Sequence, residues 1–200
     1  MNEARNKALG SAVFVFCLCA LQSFSVTLEL DRQLVFSGEV WRIWSGHFVH
    51  TNIPHLLLNI VAALLLYFAF FSTIKLAELL ACSFIFTALI SLALLYFYPE
   101  LEWYNGLSGL LHALTIYCSI RMMRAGDMVF LVALVVVWLK VLAESTGTYL
   151  GYESLLGNMT VVTEAHLVGA FVGTISAIIG FVFCQQICQV RRAKNARGLT

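Results

Sequence analysis

Residues Asn105 to His112 read Asn-Gly-Leu-Ser-Gly-Leu-Leu-His, and this stretch is the best suited in the chain to covalent chemistry. Gly106 and Gly109 flank Leu107-Ser108, and an apolar run follows at once. A serine hydroxyl in the first turn of a helix sits among backbone N–H groups that have no intrahelical acceptor. The glycines let a second backbone come close. His112 lies four residues after Ser108, on the same helical face and one turn deeper. A hydroxyl, donors for an oxyanion and a histidine are the ingredients of nucleophilic acyl transfer. Gly-x-Ser-Gly also serves as plain small-residue packing, so other residues must reach the same place.

Candidates for them lie on either side in the sequence. His166 sits in Glu-Ala-His-Leu-Val-Gly-Ala-Phe-Val-Gly, where Gly169 and Gly173 form a small-x-x-x-small face. Gly109 and Ala113 offer the matching spacing, so two helices touching through small residues would bring Ser108 and His166 together. His50, His55 and Asn59 add donors from a third direction, suited to an oxyanion.

The elements that must position these residues are membrane spans. Of the 200 residues, 60% are hydrophobic and 12% charged, with a mean hydropathy of +0.87. That balance belongs to a polytopic membrane protein. The six cysteines all fall in apolar runs and read as small buried hydrophobes, not as a disulfide framework or a metal site. The expected fold is all-α, a single domain over 1–200 with six spans at about 9–28, 55–71, 76–98, 106–121, 128–145 and 164–187. The first span resembles a signal peptide but has no convincing cleavage site. A polar, aromatic segment to Pro54 follows it, where Trp41, Arg42 and Trp44 suit interface anchors.

Charge placement sets the orientation. Arg5, Lys7, Lys75, Arg121, Arg124, Arg191, Arg192, Lys194 and Arg197 fall on one side. Glu29, Asp31, Glu39, Glu100, Glu102, Glu153 and Glu164 fall on the other, against only Arg32 and Arg42. Both termini are then expected in the cytoplasm. Spans two, four and six begin on the outer face, which gathers all five histidines at one depth. Polar groups at such a depth are costly and usually functional.

Each feature has a structural reading when taken alone. Gly169 and Gly173 serve packing, Glu164 suits a helix dipole, and Lys140 and Glu144, four apart, pair or snorkel. Those readings explain poorly why Ser108, His166, His55 and Asn59 share one layer. Other intramembrane hydrolases fit worse. No histidine opens a His-Glu-x-x-His motif, and His47, His50 and His55 have no cysteine or carboxylate at a tight spacing. The only aspartates, Asp31 and Asp127, are expected on opposite sides of the membrane.

The chain resembles the rhomboid intramembrane serine proteases. The matching pieces are Trp41-Arg42, the series His50, His55 and Asn59, the motif Gly106-Leu107-Ser108-Gly109, and Ala165-His166 with Gly169 and Gly173. The resemblance implies Ser108 as nucleophile and His166 as base, with no acid third member. It also implies that His55 and Asn59 support the oxyanion together with the Ser108 N–H. Many rhomboids carry a tyrosine four residues after the serine, where this chain has His112. In that respect it is similar to rhombosortases, a bacterial subfamily associated with proteins bearing a C-terminal Gly-Gly sorting tail. The expected activity is endoproteolysis of transmembrane proteins at the outer face of a bacterial inner membrane, facing the periplasm. Neither cofactor nor metal is expected, and no nucleic-acid partner. An inactive rhomboid-like client-binding protein is the alternative; a small transporter is disfavoured, because no paired broken spans are visible.

Overall fold

The computed structural model describes residues 2–70, 73–147 and 161–196, with side chains described from residue 5 to residue 182 within those ranges. Glu153, Arg197 and most of the loop before the sixth expected span lie outside the described residues. So do the side chains of Arg191, Arg192 and Lys194.

A helix forms at each of the six expected spans. These are α1 (Asn2–Leu21), α5 (Ile53–Phe70), α6 (Leu76–Phe97), α7 (Ser108–Arg124), α8 (Phe130–Ser145) and α9 (Thr163–Ala196). Among the described residues, four stretches, Arg5–Leu28, Ile53–Phe70, Leu76–Phe97 and Thr163–Val182, are long and apolar enough to cross a membrane. The 17-residue α7 and 16-residue α8 are shorter. The fourth helix starts at Ser108, not Gly106, because Gly106 takes φ +120° and Leu107 is the first residue in a helical conformation.

The bundle is apolar outside as well as inside. Leu57, Leu65 and Phe68 on α5, Phe84 on α6, and Val132, Val136 and Leu139 on α8 are all exposed. Such continuous apolar faces suit lipid as the surrounding solvent. The inner helix is α7. Ala113, Ile116 and Cys118 on it are fully buried, and it packs against α5, α6, α8 and α9. Of the cysteines, Cys118 is buried and Cys82 half-buried, whereas Cys17 and Cys19 are exposed on α1. The expectation of buried cysteines therefore fails for those two, since α1 makes few contacts with the rest.

The polar segment after α1 is structured. It holds α2 (Ser25–Leu28), β1 (Leu30–Asp31), α3 (Arg32–Phe36) and α4 (Arg42–Ser45). β1 pairs antiparallel with β2 (Trp103–Tyr104), with Leu30 opposite Tyr104 and Asp31 opposite Trp103. This ties the segment to the residues just before Ser108. Arg42 is not an interface anchor, because it is only 4% exposed. Its guanidinium donates to Glu39 Oε2 at 2.7 Å, to Val26 O at 3.1 Å and to Glu29 O at 2.7 Å, which folds the segment on itself. Trp44 donates to Phe84 O and stacks on the Phe84 ring, while Trp41 stays exposed.

Candidate active site

The site assembles where α7 and α9 touch through small residues. A Cβ on Gly169 would stand 2.2 Å from Gly109 O, and one on Gly173 would stand 2.3 Å from Ala113 O. A Cβ on Gly109 would meet Ala165 O at 2.9 Å. The backbones therefore lie closer than side chains permit. This contact carries His166 on α9 to the start of α7, where its Nε2 lies 2.8 Å from Ser108 Oγ.

Glu144, at the end of α8, stands behind His166. Its Oε2 is 2.8 Å from His166 Nδ1, and its side chain is fully buried. An ionised carboxylate only accepts, so Nδ1 carries the proton and Nε2 presents its lone pair to the serine hydroxyl. Ser108 then donates to His166. The resemblance implies no acid third member, yet a carboxylate stands against the Nδ1 of His166.

His112 joins from one turn below Ser108. Its Nδ1 lies 2.6 Å from Ser108 O, a carbonyl, so that nitrogen must donate. Its Nε2 is left to accept from Lys140 Nζ at 3.3 Å. The His112 and His166 rings stack with centroids 4.3 Å apart. Lys140 also bonds Glu144 Oε1 at 2.5 Å.

His50 and His55 pack against the turn that precedes the serine. A Cβ on Gly106 would meet His55 Cε1 at 2.7 Å, so both the positive φ and the ring require glycine there. His50 Nε2 accepts from Leu107 N–H at 3.4 Å, and the His50 and His55 rings meet edge to face at 5.0 Å. Their Nδ1 atoms are buried without a hydrogen-bond partner. Burial, and next the neighbouring His55, lowers the pKa of His50 to about 3, so it is neutral. Asn59 is buried one turn further along α5 and donates its amide back to His55 O at 3.0 Å. Tyr104 O–H donates to Gly106 O at 2.6 Å, and burial pushes its pKa up well above the usual value for a phenol. His47 points elsewhere. Its Nε2 lies 3.1 Å from Thr87 O and 3.0 Å from Ser91 Oγ on α6.

A model of the rhomboid domain matches residues 37–183. The chain belongs to the rhomboid family. No match was found among curated proteins. Rhomboids are in general intramembrane serine proteases, and the matched span contains Ser108, His166 and every other site residue named above. Within this rhomboid, sequence reasoning left Lys140, Tyr104 and Glu144 unassigned to the site, and of these Glu144 is the one bonded to His166 Nδ1. Its signal was a carboxylate at the end of an apolar helix, in the same layer as the histidines.

His112, Glu144 and His166 also place ligand atoms within 4.8 Å of one another. The two rings are stacked, so their in-plane lone pairs run side by side and do not converge on a metal position. The Lys140 ammonium already faces both Glu144 and His112. The set suits proton transfer better than metal binding.

Proposed function

We propose that this rhomboid is an active serine endopeptidase that cuts transmembrane proteins near the outer end of their spans. The observation that carries the reading is the 2.8 Å approach of His166 Nε2 to Ser108 Oγ, between two helices held together by glycine. Ser108 Oγ attacks the scissile carbonyl carbon as its proton passes to His166 Nε2. The tetrahedral oxyanion lies by the first turn of α7, where the Ser108 and Gly109 N–H groups precede the first helical acceptor. His55 and His50, each with a buried unpartnered nitrogen, stand beside that turn. The C–N bond breaks, and the leaving amine takes the proton from His166. Water then adds to the acyl ester as His166 Nε2 takes one of its protons; the acyl C–Oγ bond breaks, His166 returns that proton to Ser108 Oγ, and a carboxylic acid is released.

His166 is the base, and His112 is not. The Nδ1–H of His112 is committed to Ser108 O, and its Nε2 faces an ammonium. His112 instead stacks on the base and fixes its plane.

The Lys and Arg distribution supports cytoplasmic termini and a site facing the periplasm across a bacterial inner membrane. Within this reading, His112 at the position of the commoner tyrosine supports rhombosortase specificity. The substrates would carry a C-terminal Gly-Gly motif, an apolar span and a basic end. The test uses a secreted reporter fused to such a tail, expressed with the parent or with Ser108→Ala. The parent should release the reporter from the membrane, and the variant should leave it anchored. Release in both would remove the protease reading. Cleavage of other single-span proteins with the Gly-Gly reporter intact would remove only the specificity.

A further inference from the structure

Glu144 has more structure around it than an intrahelical ion pair requires. Lys140 lies one turn away on α8, and a pair made only for local stability would sit on the helix surface. Lys140 is indeed 31% exposed, but the Glu144 side chain is fully buried and turned toward α9. Burying a carboxylate in an apolar bundle is costly unless its charge is met. Here each oxygen has a donor: Oε1 takes the Lys140 ammonium, and Oε2 takes the N–H of His166.

On the serine-protease reading above, we infer that Glu144 is a positioning residue that holds His166 by its Nδ1–H and stabilises the imidazolium formed when Ser108 gives up its proton. The proton moves only from Ser108 Oγ to His166 Nε2. Nδ1 keeps its own proton throughout, and Glu144 stays ionised. Without the carboxylate the imidazole is free to take the other tautomer, with Nε2–H facing the serine, and that form cannot accept the serine proton. Lys140 holds the second oxygen and so fixes the plane of the carboxylate. His112 covers one face of the same imidazole. Three helices thus converge on one ring. α7 supplies the nucleophile and the stacked histidine, α9 supplies the base, and α8 supplies the acid.

The test uses the full-length protein in detergent micelles and a quenched-fluorescent peptide containing one transmembrane segment with its outer flank. Glu144→Gln removes the charge and keeps the shape. It should lower kcat by about two to four powers of ten while KM stays within about threefold. Glu144→Asp should recover at least about a tenth of the parental kcat, because the charge returns one methylene short of its place. A purely structural role would not produce that split or that rescue. Glu144→Gln removes the negative charge beside Lys140, so the double variant Lys140→Met/Glu144→Gln removes both charges and guards against misfolding. It should keep the parental thermal midpoint within a few degrees and remain as slow as the single variant.

Parental kcat in Glu144→Gln, or in the folded double variant, overturns the inference. So does a loss of kcat that only tracks a lowered thermal midpoint. Ser108→Ala in the same assay separates the two levels. If it is dead while Glu144→Gln runs at the parental rate, only the role of Glu144 falls. If Ser108→Ala itself cuts at the parental rate, the protease reading falls and takes the role of Glu144 with it.

Discussion

His112 and His166 come from different helices yet stack with their rings 19° from parallel. The stack separates two roles that one histidine near a serine leaves open. His112→Tyr keeps an aromatic face against His166 and should retain turnover within roughly tenfold of the parent. His166→Ala removes the base and should cost about two to four powers of ten in rate. Steady-state kinetics on one peptide substrate checks both. A dead His112→Tyr beside an active His166→Ala would reverse the roles.

The α7–α9 contact should tolerate no side chain. Gly169→Val places a Cβ 2.2 Å from Gly109 O and forces the helices apart, at a cost of roughly 1–3 kcal/mol or more against rigid backbone. Both the thermal midpoint in detergent and the cleavage rate should fall. Gly180, on the same helix with nothing within 4 Å of an added Cβ, is the control. Gly180→Ala should leave both unchanged, and equal effects at the two sites would remove the special role of the contact.

These glycines were legible because a four-residue spacing of small residues has one common use in a membrane. The six helices were legible from hydropathy for a similar reason. Glu144 was hidden by a sufficient local explanation. Lys140 lies one turn away, and nothing in the sequence gives the rotation of α8 that turns the carboxylate inward. Arg42 was hidden likewise, since beside two tryptophans it looks like an interface residue. Its three partners come from α2, from the residue after it and from the turn before α4. Those elements are too short to show any periodicity.

Arg42 should therefore act as a tie within the polar segment. Arg42→Ala leaves the carbonyls of Val26 and Glu29 without this donor, at a cost of roughly 1–3 kcal/mol for a buried group. Arg42→Lys should rescue only part, because one ammonium cannot reproduce the fork. Limited proteolysis between α1 and α5 measures the effect, with faster nicking expected in both variants. Parental resistance in Arg42→Ala would show that the pairing with β2 suffices.

Acid should loosen the same segment. Burial lowers the pKa of His47 to about 4 and that of His50 to about 3, against 6.5 for a free histidine. The unfolded chain binds these protons first, so the stabilisation is complete above about pH 6.5 and is lost as pH falls through about 4 for His47 and about 3 for His50. The thermal midpoint should drop across that window. The drop should be shallower in His47→Gln, which no longer titrates at this position. An equal slope in the two proteins would exclude His47 as its source.

Whether Ser108 is the nucleophile is decided by the intact mass of the protein after treatment with a fluorophosphonate, read beside its cleavage of the quenched peptide. The parent should gain a single phosphonyl group with loss of fluoride, carried on the peptide that contains Ser108, and cleavage should stop as the adduct forms. Folded Ser108→Ala should gain no adduct and cut nothing. Parental cleavage by Ser108→Ala, or an inactivating adduct on another residue with Ser108 unmodified, would contradict the assignment.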